Sequence, residues 1–379
     1  MTRNRSVETG THRRRWAVPF VALALVAAAC GGSSDGGASE TTDAAVATDA
    51  PVETDAPVAT EAPVETDAPV ATEAPVATEA PVETEAPVVT EAPEPTQVRL
   101  AFVPATTGLL VNVAQEQGFF EENGLAVELM PAANISEIIP TLGQQVEISL
   151  GTATDLIRAN DSGLDVVQIL GNTIDTEDNP LVRVVVPADS GIESFADLEG
   201  QRVSSPTLSG VIHVATLFSA QEAGIDPDSI EGVQVPPPAT VEQFNAGQVD
   251  AAEALEPFAS ALVGMGNVPI GDPFAAIGLP LATNFWVANG EWAANNAEAV
   301  SGFATSLEQA QAFIESNEED ARTILQGYTG MPDPVAAGVS LPTFDLEVRT
   351  DDLSRWVDVL VSLDQFEGEI DVNDLVLGS

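Results

Sequence analysis

Few side chains in this sequence can do chemistry, and their types and spacing point to binding. The chain of 379 residues holds one Cys, two His and no Lys. Glu253 and Glu256 stand three residues apart at the end of a predicted strand, and such a pair could serve general acid–base chemistry. Nothing else in the sequence supports an enzyme, so they read as polar lining or as residues facing a partner. His213 is the one His after residue 29. A lone His on a predicted helix is either a partly buried structural residue or a ligand contact. A single Cys and a single His cannot complete a soft metal site, and without Lys no Schiff base can form. What recurs instead is short runs of small polar residues opening helices: Thr106-Thr107-Gly108, Gly151-Thr152-Ala153-Thr154 and Thr207-Leu208-Ser209-Gly210. Their hydroxyls can cap a helix, and their free N–H groups suit a sulfonate, a carboxylate or a polar ring edge. Trp286, beside Phe285, could stack on a flat ligand or simply pack in a core. Asn172 and Asn284 are weaker lining candidates. No Arg falls in these runs, so no bidentate anion clamp is visible. The expectation is a site with no catalytic residue, no cofactor and no metal.

These runs need elements to position them. From Gln97 onward, strand-like and helix-like stretches alternate, which predicts an α/β fold with mainly parallel sheets. Strands are expected at 98–103, 125–130, 146–150, 166–170, 181–186, 233–235, 251–254 and 285–288. Helices are expected at 109–117, 135–142 (short, broken by Pro140), 152–160, 209–223 and 241–246. The helix at 209–223 has Ser209 as a cap and Gly224 as a stop. Beyond Trp292 the pattern is helical, over 299–314, 321–326 and 353–363. One internal echo is informative. Leu142-Gly143-Gln144-Gln145-Val146-Glu147 leads into a strand and then Gly151-Thr152-Ala153-Thr154. Ala246-Gly247-Gln248-Val249-Asp250 leads into a strand and then Glu253-Ala254-Leu255-Glu256-Pro257. Two lobes built this way would aim strand ends and helix N-termini at one cleft, where open α/β sheets bind ligands.

The first 96 residues are of another kind. Arg3, Arg5, Arg13, Arg14 and Arg15 precede an apolar run from Trp16 to Ala29, and Ala27-Ala28-Ala29-Cys30 follows. This reads as a signal peptide over 1–29, too short for a transmembrane span. Cys30 then resembles the acylated Cys of a bacterial lipoprotein, and as the sole Cys it can form no intramolecular disulfide. The adjacent arginines leave Sec and twin-arginine export both open. Residues 30–96 form a spacer in which Thr-(Asp/Glu)-Ala-Pro-Val recurs every six residues. Pro51, Pro57, Pro63, Pro69, Pro75, Pro81, Pro87 and Pro93 share one phase. Pro removes a donor and fixes φ, so an extended, charge-stiffened tether is expected. At about 3.1 Å per residue it could reach on the order of 150 Å. Its Thr residues are possible sugar acceptors. Once 1–29 is removed, seven Arg against 58 acidic residues leave a net charge of −51. Such a chain repels nucleic acid and anionic lipid surfaces. Its attachment to a bilayer must come from the lipid on Cys30.

Four stretches carry a family resemblance. Gln117-Gly118-Phe119-Phe120-Glu121-Glu122-Asn123-Gly124-Leu125 resembles a "G-F-F-E-K-x-G-L" turn. Phe195-Ala196-Asp197-Leu198-Glu199-Gly200-Gln201-Arg202-Val203 resembles "S-x-x-D-L-K-G-K-x-V". Pro206-Thr207-Leu208-Ser209-Gly210-Val211-Ile212-His213 follows as a helix-opening loop. Ala246-Gly247-Gln248-Val249-Asp250 through Glu256-Pro257-Phe258 resembles "A-G-x-V-D-A-x-x-x-x-E-P". In this order, over residues 97–290, they resemble the nitrate/sulfonate/taurine-type solute-binding proteins, a group that includes thiamine-pyrimidine-precursor binders. The resemblance implies a two-lobed, type II periplasmic-binding-protein-like fold with a ligand cleft between lobes. Lobe 1 would be 97–182 plus 283–379, and lobe 2 would be 183–282. It also implies delivery of a small molecule to an ABC permease and its ATPase by a monomer held outside the cell. The cleft would be lined by Thr106, Thr107, Gly108, Thr152, Ala153, Thr207, Ser209, Gly210, His213, Glu253, Glu256 and Trp286.

Two other functions fit parts of this reading. Related folds include a pyridoxal-phosphate-dependent pyrimidine synthase, which the absence of Lys opposes, and a cytoplasmic dehydratase, which the signal segment opposes. A surface receptor reporting ligand to a sensor would share every feature named so far. For the ligand, a sulfonate, nitrate, a pyrimidine or a small aromatic acid all fit, while acidic Glu253 and Glu256 would favour a cationic or amine-bearing molecule.

Overall fold

The structure is a computed structural model describing residues 94–378. The signal segment, Cys30 and the spacer up to residue 93 lie outside the described residues.

The chain opens with β1 (Thr96–Phe102), α1 (Leu109–Gln117), α2 (Phe119–Glu122) and β2 (Leu125–Pro131), followed by β3 (Ile148–Gly151), α3 (Ala153–Asp161) and β4 (Val166–Asp175). It continues through β5 (Val182–Val186), β6 (Arg202–Ser205), α4 (Val211–Glu222), β7 (Glu231–Gln234), α5 (Pro237–Asn245), β8 (Ala251–Leu255), α6 (Phe258–Gly264) and β9 (Val268–Gly271). Then come β10 (Leu281–Asn289), α7 (Gly290–Asn295), α8 (Ala297–Ser316), α9 (Glu318–Thr329), α10 (Asp333–Gly338), β11 (Thr343–Asp345) and α11 (Thr350–Ser362).

These strands form two sheets. The first runs β11-β4-β10-β3-β1-β2 and the second β7-β6-β8-β5-β9. The chain leaves the first sheet after β4 and returns to it at β10. Each sheet therefore receives one strand from the crossing segments: β10 between β3 and β4, and β5 between β8 and β9. Those inserted strands run antiparallel to their neighbours, while β1 pairs with β2 and β3, and β6 with β7 and β8, in parallel. Each sheet is thus mixed, with a parallel half. Both fold classes are periodic in the expected way. The short apolar strands β3 and β8 are buried on both faces, as sheets covered by helices require. The helix α8 buries Ala299, Phe303, Leu307, Ala310 and Ile314, one stripe of a 3.6-residue period.

The internal echo has a structural basis. In the first sheet, Arg99 on β1 takes Glu147, just before β3, by its backbone N–H (2.6 Å) and by Nε (3.1 Å), and its guanidinium reaches the Gln144 carbonyl. In the second sheet, Arg202 on β6 takes Asp250, just before β8, by its backbone N–H (3.0 Å) and Nε (2.9 Å), and reaches the Gln248 and Gly247 carbonyls. The same staple closes the same turn in both sheets.

Several local expectations change. The single short helix at 135–142 is two separate 3-10 turns, Ile135–Glu137 and Ile139–Thr141, with Pro140 at the start of the second. A Pro inside one continuous helix would remove a hydrogen bond, and the chain restarts instead. The helix expected from Ser209 begins at Val211 with Gly210 as its N-cap and no side-chain cap bond. The strands β4 and β10 are longer than expected, and β6, β9 and β11 emerge only in three dimensions. The last three are four, four and three residues long, too short for periodicity to register.

Candidate ligand-binding cleft

The elements that end at the cleft are β1, β3, β6 and β8, together with the starts of α3, α4 and α5. They enclose a cavity of about 170 Å³. One wall comes from the first sheet: Thr106 and Thr107 after β1, Thr152 and Asp155 after β3, and Thr283 and Asn284 on β10. The facing wall comes from the second sheet: Ser205, Pro206 and Thr207 after β6, Gly210 to Ile212 at the start of α4, and Leu255 and Glu256 at the end of β8. Asn134, Ile135 and Ser136 close one side. This is where a doubly wound sheet places its ligands, outside the carboxyl ends of the strands.

The two walls touch. Thr207 Oγ1 lies 3.4 Å from Asn134 Oδ1, and the guanidinium of Arg158 on α3 reaches across to the Ser209 carbonyl and, at 2.7 Å, to Gln365 Oε1. The conformation is therefore one in which the halves are joined over the cavity.

Six of the residues predicted to line the cleft do so: Thr106, Thr107, Thr152, Thr207, Gly210 and Glu256. The other six lie elsewhere, for definable reasons. Gly108 is pressed against β1, where an added Cβ would meet Phe102 Cδ2 at 2.7 Å and the Val103 carbonyl at 2.8 Å. Ala153, the first residue of α3, is wholly buried in the core. Ser209 is exposed at the tip of its loop. Trp286 is fully buried in the core, edge-on to Phe303 with ring centroids 5.5 Å apart.

His213 and Glu253 form a buried pair within the second half of the molecule, Nδ1 to Oε1 2.8 Å, away from the cavity. Burial opposes the charged ring, but the charge of Glu253 and its hydrogen bond outweigh it, so the His213 pKa is raised. Glu253 and Glu256 do not form an acid–base pair. Strand side chains alternate, so residues three apart leave on opposite faces. Glu256 instead pairs with Arg183 (Nη1 to Oε1 2.5 Å) and accepts from the Ser260 N–H at 3.3 Å.

Asp155 is a charged lining residue that the sequence reading missed. Its signal is a capping-box-like Thr152-x-x-Asp155 at the start of α3. Thr152 Oγ1 donates to Asp155 Oδ2 at 2.7 Å and accepts from the Asp155 N–H at 3.4 Å. Burial raises the Asp155 pKa, and hydrogen bonds from Ser136 and Thr152 and the charge of Arg158 oppose that rise. Asn134 was also missed; it caps the 3-10 turn at 135–137 by accepting from the Ser136 N–H. Asn284 lines the cavity, and Asn172 stands behind it, donating to Asn284 Oδ1 (2.6 Å) and to the Thr107 carbonyl (3.0 Å).

At the two crossings sits a second carboxylate group. Asp175, at the end of β4, is fully buried and accepts from the Leu181 N–H. Burial, then the charge of Asp272, push its pKa up to about 7. Asp272 accepts from the Phe274 N–H at 2.8 Å, and burial raises its pKa as well. Arg183 is the cation facing both.

Two sheets of matching strand order, two crossings between them and a cavity at their strand ends define a protein with the periplasmic-binding-protein fold. Residues 104–321 match the model of the NMT1/THI5 like family, and the chain belongs to that family. It is 26% identical over 203 residues to the taurine-binding periplasmic protein of Escherichia coli (strain K12), covering 52% of this chain and 61% of that one. Its fold is that of the periplasmic aliphatic sulphonate binding protein SsuA from Escherichia coli (TM-score 0.63, 18% identity, 74% of this chain and 97% of that one). It is equally that of the periplasmic nitrate-binding protein NrtA from Synechocystis PCC 6803 (TM-score 0.63, 13% identity, 76% and 87%). The desulfurization enzyme DSZB shares the fold too (TM-score 0.52, 15% identity, 74% and 96%), so fold alone does not separate binding from catalysis.

Proposed function

We propose that this chain is the extracytoplasmic solute-binding component of an ABC importer, a lipoprotein anchored through acylated Cys30 that captures a small molecule and delivers it to a permease and its ATPase. The observation that carries this is the cavity itself. It is enclosed by the ends of β1, β3, β6 and β8, and its walls come from both halves of the chain. Hinged closure of two such halves is how a binding protein reports its ligand to a partner. The lobes are 97–182 plus 283–379 and 183–282. The relatives that bind taurine, sulphonate and nitrate support a small-molecule ligand and an importer as partner. The protein acts as a monomer and outside the cytoplasm, with no role in nucleic-acid binding.

Thermal unfolding of the mature chain (residues 30–379) with a panel of sulfonates, nitrate, taurine, pyrimidines, amines and aromatic carboxylates tests this. A ligand at 100 times its Kd stabilises by about 2.7 kcal/mol. One chemical class is expected to raise Tm. Folded, ligand-stripped protein that responds to no class would count against a solute-binding role.

A further inference from the structure

We infer that the cleft takes a compact, largely apolar molecule carrying a protonated amine or comparable basic nitrogen, held by the carboxylate of Asp155, in preference to an oxyanion. This rests on the solute-binding reading and narrows it.

The charged side chains lining the cavity are Asp155 and Glu256, both acids; no Arg or His stands among the lining residues, and the chain has no Lys. The nearest guanidinium groups are engaged elsewhere. Arg183 pairs with Glu256, which cancels that carboxylate's charge. Arg158, one turn along α3 from Asp155, spans the cleft to the Ser209 carbonyl and bonds Gln365 on its own side; its charge acts on Asp155 without a direct hydrogen bond to it. Asp155 is left with hydroxyl partners, and a carboxylate has room for about four hydrogen bonds.

The rest of the wall mixes uncharged hydroxyl and amide groups, Thr106, Thr152, Thr207 and Asn284 among them, with apolar side chains that include Val103, Leu150, Val182, Leu255 and Phe274. A sulfonate or nitrate would find hydroxyl and amide donors in this lining but no cationic side chain to balance its charge. It would also bring a second negative charge beside Asp155, in a space where charges interact more strongly than in water. A protonated amine reverses both effects, since its N–H groups satisfy the carboxylate and its body meets the apolar part of the wall. Size sets a further limit. A dry cavity of about 150 Å³ accommodates benzene, so about 170 Å³ suits one ring or a short branched chain. Finally, the net charge of −51 after removal of residues 1–29 draws cations toward the molecule and repels anions.

The test holds the ring constant and changes the head group. Benzylamine, benzyl alcohol, benzoate and benzenesulfonate are titrated calorimetrically into the mature chain, with ethanesulfonate and nitrate alongside. Benzylamine is expected to bind at least tenfold more tightly than the alcohol, with no measurable binding of the two anions. Asp155→Asn should erase that preference while keeping its melting temperature within a few degrees. Tighter binding of benzenesulfonate, ethanesulfonate or nitrate would overturn the inference and leave the solute-binding reading standing. Amine binding that Asp155→Asn does not alter would overturn the role of Asp155. Should none of the six bind, the inference falls, and the broader panel above then decides the reading beneath it. If Asp155→Asn does not fold, the ranking on the unaltered chain decides.

Discussion

The buried and cleft-lining carboxylates of this chain sort by what faces them. Glu256 has Arg183, and Glu253 has His213. Asp155 has hydroxyls, and Asp175 and Asp272 share the influence of one Arg. For Asp175 the consequence is a pH dependence of known sign. Its folded pKa of about 7 lies above the ordinary value of 3.8. Its contribution to stability is therefore complete below about pH 4 and is lost as pH rises to 7 and beyond. Asp175→Asn removes the burial of charge. It is expected to stabilise the protein at pH 8 by roughly 1–3 kcal/mol relative to the native chain, and to give little or no gain at pH 4.5. Denaturant unfolding at both values measures this, and a difference independent of pH would refute the assignment.

At the scale of elements, Gly171 on β4 shows how tightly the third-from-last segment of the chain is seated. Its N–H donates to the Leu346 carbonyl at 3.0 Å. A methyl group at Gly171 would run into the carbonyl oxygens of Asp345 and Glu347, which are backbone and cannot swing aside. Gly171→Ala is expected to displace β11 and the turn after it and to cost about 1–3 kcal/mol, seen as a drop of several degrees in Tm. A melting curve identical to that of the native chain would mean the segment yields freely. The Arg99–Glu147 and Arg202–Asp250 staples belong to this scale as well. Each satisfies the backbone at the turn into a central strand, which explains why a Gly-containing, acid-ended phrase recurs in the sequence.

At the scale of the molecule, one long acidic chain combines a folded two-sheet unit with a Pro-punctuated, acidic repeat and a Cys at residue 30. Among the described residues no helix is long and apolar enough to cross a membrane, and the charge opposes electrostatic adhesion to anionic lipid. The proposed anchorage then depends on Cys30 alone. Cys30→Ser is expected to move the protein from the membrane fraction of the cell to the soluble fraction, and membrane retention of that variant would refute lipid anchoring.

The α/β class, the helix stops at Gly118 and Gly224, the strand ends that build the cleft and half of its predicted lining were legible in the sequence. Each rests on local physics: hydrophobic period, the left-handed conformation that Gly allows, and hydroxyls at helix starts. The proposed acylation of Cys30 and the period-six Pro repeat rest on the sequence alone. Which side of a strand or helix faces the cavity was not legible for Glu253, His213 and Trp286. Their chemistry fits a binding site as well as a core, and only the packing of α4 on β8 and of α8 on β10 turned them inward. Asp155 was hidden for the opposite reason. In sequence it is one more acid in a chain with 59 Asp and Glu. It becomes distinctive only when folding half-buries it at the cavity with hydroxyl partners and directs the hydrogen bonds of Arg158 and Arg183 to other groups.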